Sequence, residues 1–221
     1  MFISFEGPEG GGKSTQAELL ATALRREGYS VVVTHEPGGT TVGEAIRQLL
    51  LAPDALTAMS ARAEVLLFTA ARAQLVDEVI RPALDDGSLV LCDRFSDSTI
   101  AYQVGGRGLP EDVVTEIVQF ATGGLKPDLT FLLDLDVATG LARKRGVPSD
   151  RMEMEDASFH RRVRSTYQKL ARREPERIVV LDASRPVQLL ATMIQQRVEL
   201  HIHQRGRGAT EGSSRRTGRL T

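Results

Sequence analysis

A glycine-rich loop near the amino terminus carries the clearest chemical pattern in the chain. The segment from Gly7 to Ser14 fits the pattern G-x-x-x-x-G-K-[ST] at every fixed position. Backbone N–H groups in such a loop face an anion, and the start of the following helix adds its dipole. Lys13 supplies positive charge for the β- and γ-phosphates of a nucleotide, and the Ser14 hydroxyl can bind Mg²⁺. The expected nucleotide contacts are Gly7, Pro8, Glu9, Gly10, Gly11, Gly12, Lys13, Ser14 and Thr15.

This loop predicts binding of ATP or GTP but does not name a reaction, because motors, switches and kinases share it. A glycine-rich turn without a ligand is the alternative interpretation. The chain is too short for most motor modules and has no Asn-Lys-x-Asp motif for guanine.

An Asp-Arg pair follows the apolar run Leu89–Cys92. In doubly wound folds ligands bind at this carboxyl edge of the sheet. Asp93 is therefore placed to orient hydrated Mg²⁺, and Arg94 offers a planar fork for a second phosphate. A surface ion pair is the other interpretation of such a dipeptide. Because the pair follows a predicted apolar strand, we favour a functional role for it over a surface ion pair.

Two groups of side chains suggest a second binding site. Phe68 and Arg72 are four residues apart in a long helical pattern, so they share a face. The ring could stack on a base and the guanidinium could bond the base edge, although Phe68 taken alone is more typical of a core. A helix would also group Ser98, Thr99 and Tyr102 beside the Asp-Arg pair.

The elements that must position these residues alternate between short apolar runs and longer helical patterns, which is typical of an α/β fold with a parallel sheet. The predicted strands are Phe2–Phe5, Val31–His35, Leu89–Cys92, Leu129–Leu135 and Ile178–Leu181. The predicted helices lie near Ser14–Arg26, Thr41–Leu51, Ala61–Leu84, Glu111–Ala121, Val137–Lys144, Phe159–Arg172 and Val187–His203.

Composition fits one ordinary globular domain followed by a tail. The chain has 221 residues, 41% of them hydrophobic and 26% charged, with a net charge of −1. This balance argues against nucleic-acid coating or polybasic membrane binding. We expect one domain over residues 1–204 and a disordered basic tail over residues 205–221. Cys92 is the single cysteine and is expected to be buried. Because the sequence also has no apolar stretch long enough for a membrane span and no signal pattern, we expect a cytoplasmic protein.

Several segments together resemble the bacterial thymidylate kinases, a family of P-loop nucleoside monophosphate kinases. The matching segments are Phe5-Glu6-Gly7 through Ser14-Thr15-Gln16, Glu36-Pro37-Gly38-Gly39-Thr40, Leu66-Leu67-Phe68 with Arg72, Asp93-Arg94 through Ala101-Tyr102-Gln103, Arg107-Gly108-Leu109 and Asp150-Arg151-Met152-Glu153. The resemblance implies the three-layer P-loop kinase fold, with a five-stranded parallel sheet flanked by helices. It also implies a homodimer.

The same resemblance implies transfer of the γ-phosphoryl group of Mg-ATP to dTMP. The residue matching Phe68 stacks on thymine, and the one matching Arg72 bonds the base edge. Arg94 matches the arginine that grips the acceptor phosphate. Glu9 matches a carboxylate that reaches the sugar 3′-hydroxyl and the reacting phosphates. The expected acceptor site comprises Glu9, Pro37, Phe68, Arg72, Arg94, Ser98, Thr99, Tyr102 and Gln103, with Tyr102 beneath the sugar.

A basic segment at about residues 143–156 is expected to form a mobile lid. Bacterial members without arginine in the phosphate loop use lid arginines over the ATP phosphates, and the loop here also lacks arginine. Arg151 is the first candidate, with Arg143 and Arg145 as further ones, although a charged run is often only a solvated surface. The expected catalytic residues are Lys13, Glu9, Arg94 and Arg151, and the expected Mg²⁺ ligands are Ser14 and Asp93.

Two other functions stay open from sequence. One is a kinase of another small nucleotide acceptor on the same fold, which assays with several monophosphates would distinguish. The other is a non-catalytic nucleotide-binding module, which would bind ATP without transferring phosphate. The second site around Arg72 and Arg94 argues against that module, because a simple sensor does not need it.

Overall fold

Five parallel strands form the sheet that carries the candidate site. A computed structural model describes residues 1–52, 59–144 and 150–214, with side chains through residue 204. The strands lie in the order β2-β3-β1-β4-β5, and every pairing is parallel. Their bounds are Phe2–Glu6 (β1), Val31–His35 (β2), Leu89–Asp93 (β3), Leu129–Asp134 (β4) and Ile178–Asp182 (β5). The predicted fold class and all five predicted strands are confirmed.

Helices cover both faces of this sheet. The α-helices are Lys13–Arg26 (α1), Thr41–Leu51 (α2), Ala61–Leu75 (α3), Arg81–Asp85 (α4), Ser96–Thr99 (α5), Glu111–Thr122 (α6), Val137–Arg143 (α7), Ala157–Arg173 (α8) and Val187–Ser214 (α9). Two π-helical segments, Val76–Ile80 and Ile100–Gly106, continue α3 and α5. This arrangement explains why the strands read as continuous apolar runs, since both of their faces are buried.

The core consists of apolar clusters on the two sides of the sheet. On one side Phe5 and Phe131 pack with Leu24 of α1 and Ile194 of α9. On the other side Cys92 belongs to a separate cluster that also contains side chains of α3 and β1. Burial raises the pKa of the Cys92 thiol well above its ordinary value, as expected for a small buried residue.

The long helix predicted over Ala61–Leu84 is present as continuous helical backbone from Ala61 to Asp85, with a π-helical segment within it. Helix α3 ends at Leu75, a π-helical turn follows, and α4 begins one residue before Pro82. Proline has no backbone N–H to donate to the preceding turn, and a single π-turn absorbs such a change of register. The π-helical segment lies beyond Arg72, so the residues of the candidate site stand on regular α-helix.

The carboxyl-terminal region differs from its predicted bounds. The sequence pattern ends the last helix at His203, whereas helical backbone of α9 continues to Ser214. Residues 215–221 lie outside the described residues, and a disordered tail over 205–221 stays a prediction. None of the described helices combines the length and hydropathy needed to cross a membrane.

Candidate active site

One large cavity opens at the carboxyl edge of the sheet, where β1, β2 and β3 end. Its volume is about 880 Å³. Carboxyl ends of parallel strands meet at one edge, so side chains distant in sequence converge there. The sequence-predicted residues in its wall are Glu9, Gly10, Gly12, Lys13, Ser14, Thr15, Pro37, Phe68, Arg72, Asp93, Arg94, Ser98, Thr99, Tyr102, Gln103 and Arg143.

The glycine-rich loop joins β1 to α1 as the sequence predicted. Two of its glycines are required by close backbone approaches. A Cβ atom at Gly7 would lie 2.4 Å from the Leu133 carbonyl oxygen, and one at Gly10 would lie 2.5 Å from that of Gly140. Both also have positive φ values, of 135° and 71°. The loop is therefore held against β4 and α7 in a conformation that only glycine adopts freely.

Lys13 lies folded back along this loop. Its Nζ atom donates to the carbonyl oxygens of Gly7 at 3.2 Å and Pro8 at 3.0 Å. Burial, together with the nearby charge of Arg94, lowers the pKa of Lys13 from 10.5 to about 8. An anion bound in the loop would raise that pKa again, since opposite charge stabilises the protonated amine.

Ser14 and Asp93 meet across the cavity floor. Ser14 is the second residue of α1 and Asp93 the last of β3, and the Ser14 hydroxyl donates to Asp93 Oδ2. Hydroxyl and carboxylate oxygens are hard ligands of the kind Mg²⁺ prefers. The pair therefore fits the metal role predicted for it, with Ser14 as direct ligand and Asp93 as the carboxylate beside it.

Arg94 occupies the centre of the wall. Its Nη2 atom donates to Glu9, and its guanidinium lies 5.2 Å from the ring centroid of Tyr102. The Tyr102 hydroxyl donates to the same Glu9 oxygen at 2.7 Å. Burial raises the pKa of Glu9, but the charges of Arg94 and Lys13 outweigh it and bring that pKa to about 2. Glu9 is therefore a carboxylate at neutral pH and is not suited to act as a general base.

Several hydrogen bonds fix the guanidinium of Arg72 at the far end of the cavity. Nε donates to Glu36 Oε2 at 2.8 Å, and Nη2 donates to the same oxygen. Nη2 also donates to the Phe95 carbonyl oxygen at 3.0 Å, and Nη1 donates to the Thr99 hydroxyl at 2.7 Å. Burial raises the pKa of Glu36, with the charge of Arg72 opposing the shift.

Apolar and amide side chains complete this end of the cavity. Phe68 is partly buried against the cluster that contains Tyr102 and Phe159, while its remaining surface lines the cavity. Gln103 is buried, and its amide donates to Glu64 Oε1 at 3.0 Å. Pro37 lies at the turn after β2. The structure thus brings together the acceptor-site residues predicted from sequence.

The structure places the expected lid arginines in different surroundings. Arg143 ends α7, lies in the cavity wall and donates to the Gly10 carbonyl oxygen at 3.1 Å. Arg151 instead lies behind the wall, where Nη1 is 2.7 Å from Glu64 Oε2 and Nε donates to the Leu50 carbonyl oxygen. Arg145 lies outside the described residues. A role for Arg151 at the phosphates stays a prediction and requires it to leave Glu64.

Sequence reasoning missed several polar residues of the site. Lys144 pairs with Glu153 and lies 3.9 Å from Glu9 Oε2. Glu6 and Tyr167 form hydrogen bonds directly behind Arg94. Lys144 lay within the basic segment predicted as a lid, so that pattern could have identified it as a site residue. Tyr167 lies in an amphipathic helix 73 positions after Arg94, and no local pattern connects the two.

The chain is similar to known proteins over most of its length. The family model described as thymidylate kinase matches residues 5–194. A thymidylate kinase of Thermomicrobium roseum is 52% identical over 208 residues, which cover 93% of this chain and 97% of the relative. One of Deinococcus radiodurans is 52% identical over 188 residues, covering 84% and 90%. The crystal structure of a thymidylate kinase from Ehrlichia chaffeensis is 32% identical, with a TM-score of 0.74 over 90% of this chain and 98% of that one. This chain belongs to the thymidylate kinase family.

Proposed function

We propose that the chain transfers the γ-phosphoryl group of ATP to the phosphate of dTMP, giving dTDP and ADP. One observation carries the proposal. A single cavity is lined at one end by the phosphate-binding loop and at the other by Phe68 and Arg72, with Arg94 between them. Such a cavity can hold a donor and an acceptor with their phosphates together, which is the geometry that in-line transfer needs.

The described residues suit a reaction that needs alignment and positive charge. Lys13 and Arg94 line the junction, and both carry positive charge at neutral pH. An acceptor phosphate is already nucleophilic, so the reaction needs no general base, which agrees with the ionised state of Glu9. Ser14 and Asp93 would hold Mg²⁺, whose contribution when bound is to neutralise phosphate charge.

At the acceptor end, Phe68 offers a ring for stacking and Arg72 a donor for a carbonyl on the base edge. Thymine and uracil present a carbonyl where cytosine presents an amino group. We infer that the acceptor is a thymidine-type monophosphate. A kinase of another nucleotide is not favoured by the family to which the chain belongs.

The assay is phosphoryl transfer from radiolabelled ATP to a panel of dTMP, dUMP, dCMP, dGMP and AMP. We expect dTMP to be used best, with dUMP as the only other good acceptor. Preference for dCMP, dGMP or AMP would refute the acceptor assignment. Tight ATP binding with no transfer to any monophosphate would instead indicate the binding module.

Two further properties follow from the resemblance and are proposed with it. We propose a homodimer, which exposed apolar side chains of Leu66 on α3 and Phe120 on α6 support. Phe120 is 90% exposed in the single chain. Sedimentation velocity at micromolar concentration tests it, with a dimer mass expected and a monomer mass contradicting it. A cytoplasmic location stays a prediction from sequence.

A further inference from the structure

Glu6 is a buried carboxylate that the reaction as described does not use. It is the last residue of β1, directly before the phosphate-binding loop, and its surface is fully buried. A buried carboxylate is costly unless donors satisfy both of its oxygens. The donors that surround Glu6 therefore indicate what it holds in place.

Four hydrogen bonds converge on this carboxylate. Oε1 accepts from the backbone N–H of Phe95 at 2.8 Å and of Ser98 at 3.3 Å. Oε2 accepts from the Ser98 hydroxyl at 2.6 Å and the Tyr167 hydroxyl at 2.9 Å. Glu6 thus joins the strand that begins the phosphate-binding loop to the segment after Arg94 and to α8.

The two hydroxyl groups also contact Arg94. Its Nη1 atom donates to the Ser98 oxygen and to the Tyr167 oxygen, both at 3.3 Å. Arginine has only donors, so both hydroxyl oxygens act as acceptors toward it. The two hydroxyl oxygens also lie 2.7 Å apart, so one hydroxyl donates to the other while Glu6 Oε2 accepts from the pair. Glu6 therefore orients the pair of hydroxyls that faces Arg94.

The backbone contacts of Glu6 act on the same residue. Arg94 has a φ of 70°, a left-handed conformation that is uncommon for residues other than glycine. Its own N–H donates to the Phe5 carbonyl oxygen at 2.9 Å, and the next N–H, that of Phe95, donates to Glu6. Two consecutive residues of β1, Phe5 and Glu6, thus accept from the N–H of Arg94 and from the N–H of the residue after it.

We propose that Glu6 is a positioning residue for Arg94, which it orients through the Ser98 and Tyr167 hydroxyls and the Phe95 and Ser98 amides. The inference rests on the proposed function, in which Arg94 binds the acceptor phosphate. Glu6 itself lies behind the cavity wall and does not touch the acceptor. Its loss should therefore affect use of dTMP more than use of ATP.

The charge state of Glu6 gives the proposal a second observable. Burial and the facing charge of Asp97 raise the pKa of Glu6 to about 7, with Ser98 and Arg94 opposing the shift. Among the described residues, Lys13 on α1, Cys92 on β3 and the Tyr167 hydroxyl on α8 are the other titratable groups that interact with it. Protonation below that pKa would add a hydrogen to a group that otherwise only accepts, and this hydrogen would compete with the surrounding donors for the same lone pairs. Orientation of Arg94 should weaken as pH falls through about 7.

The test compares Glu6→Gln with wild type and with Ser4→Ala. Ser4 is a suitable control because it is buried on the same face of β1 and bonds Thr130 rather than the Arg94 segment. In Glu6→Gln we expect kcat/KM for dTMP to fall at least tenfold while KM for ATP stays within twofold. Ser4→Ala should lower Tm without this separation. Equal losses for both substrates in Glu6→Gln would overturn the proposal.

Tyr167→Phe keeps the proposal testable if Glu6→Gln does not fold. It removes one of the two hydroxyls between Glu6 and Arg94 and leaves the ring in the core. We expect a severalfold loss of kcat/KM for dTMP with KM for ATP unchanged. An unchanged value for dTMP would overturn the proposal.

The pH dependence supplies a readout that a purely structural role would not change. The acceptor phosphate itself titrates near pH 6, so the informative quantity is the ratio of wild-type to Glu6→Gln kcat/KM for dTMP at each pH. We expect this ratio to decrease as pH falls from 8 to 6. A ratio that stays constant over that range would contradict the role of the carboxylate charge.

A spectroscopic arm separates this inference from the proposed function. In ¹⁵N-labelled protein, an oriented Arg94 guanidinium should give resolved Nη–H signals, assigned by their loss in Arg94→Ala. We expect these signals in wild type and their broadening in Glu6→Gln. Signals unaffected by Glu6→Gln would overturn the inference whatever the acceptor proves to be. Wild-type protein that phosphorylates no monophosphate would refute the proposed function without affecting this result.

Discussion

Arg94 and Glu9 form an ion pair between the Asp-Arg turn and the phosphate-binding loop. Their side chains are 16% and 14% exposed, so the pair is accessible from the cavity but largely shielded from water. Charge-assisted hydrogen bonds of this kind hold a guanidinium in a defined direction. A phosphate entering the cavity would meet an arginine that is already oriented, with Tyr102 packed against its face.

Arg94→Ala should mainly damage use of the acceptor. We expect kcat/KM for dTMP to fall by about 10²–10³, the range found when one oriented donor to a developing charge is removed. KM for ATP should change little. Arg81→Ala is the control, because Arg81 bonds the carbonyl oxygens of Thr122 and Gly123 away from the cavity. An effect on ATP affinity alone would show that the assignment of Arg94 is wrong.

Arg72→Lys tests whether the site needs the planar, multi-donor guanidinium of Arg72 in addition to its positive charge. Lysine keeps the charge but cannot donate at once to Glu36, the Phe95 carbonyl oxygen and the Thr99 hydroxyl. Leaving such buried groups without partners costs about 1–3 kcal/mol of stability. We expect a lower Tm in thermal unfolding and a KM for dTMP raised at least tenfold.

Arg177→Lys is the matched control for Arg72→Lys. Arg177 bonds both oxygens of the buried Asp97, outside the cavity wall. We expect a comparable loss of Tm with an unchanged KM for dTMP. Equal effects on KM in the two variants would mean that Arg72 acts only through stability.

Lys13→Ala should slow transfer by about 10²–10³, since the transition state loses a charged donor. Wild-type protein should also show a basic limb in kcat/KM for ATP. Because the pKa of Lys13 is about 8, the ammonium form is present below that pH and is lost as pH rises through it. Pre-steady-state rates and a pH profile from 6 to 10 measure both effects. Full activity in Lys13→Ala would refute the role.

Ser14→Ala should raise the Mg²⁺ concentration needed for half-maximal activity. The substitution removes the hydroxyl that donates to Asp93 and leaves the carboxylate without that partner. We expect at least a tenfold rise in a magnesium titration at saturating nucleotide. Thr192→Ala, which removes an exposed hydroxyl bonded to the Gln188 carbonyl oxygen, should change nothing. A shift no larger than that of the control would contradict a metal role for Ser14.

Arg151→Ala tests whether the predicted lid arginine reaches the phosphates. We expect slower single-turnover transfer with dTMP affinity largely retained. Because Arg151 also neutralises the buried Glu64, a lower Tm should accompany the kinetic effect. Arg173→Ala, which removes an exposed pair with Glu111, is the control for loss of a surface cation. A normal single-turnover rate would assign Arg151 to structure alone.

The parts of the site that sequence predicted are those with a local cause. The loop from Gly7 to Ser14 has a fixed pattern because its glycines are required by the backbone approaches to β4 and α7. The strands have apolar runs because both faces are buried. Asp93 and Arg94 follow such a run, so their place at the sheet edge is inferable from the topology of parallel strands.

The parts that sequence could not provide depend on contacts between distant segments. Glu36 and Arg72 are 36 positions apart, and Tyr167 is 161 positions from Glu6. No periodicity within one segment encodes such pairs. Arg151 shows the same limit, because its motif indicated a phosphate contact while the structure places its guanidinium on Glu64. Side-chain identity indicates what a residue can bind, whereas packing decides which partner it meets.

The hydrogen bonds that Arg72 already makes limit what its side chain can recognise in a bound molecule. A guanidinium has five N–H groups. Among the described residues four of them are taken: Nε and one Nη2 hydrogen by Glu36, the other Nη2 hydrogen by the Phe95 carbonyl oxygen, and one Nη1 hydrogen by Thr99. One Nη1 hydrogen remains for a molecule in the cavity. A single donor can distinguish a carbonyl oxygen from an amino group on the base edge. It cannot detect a methyl group on the same ring, which must be discriminated by shape.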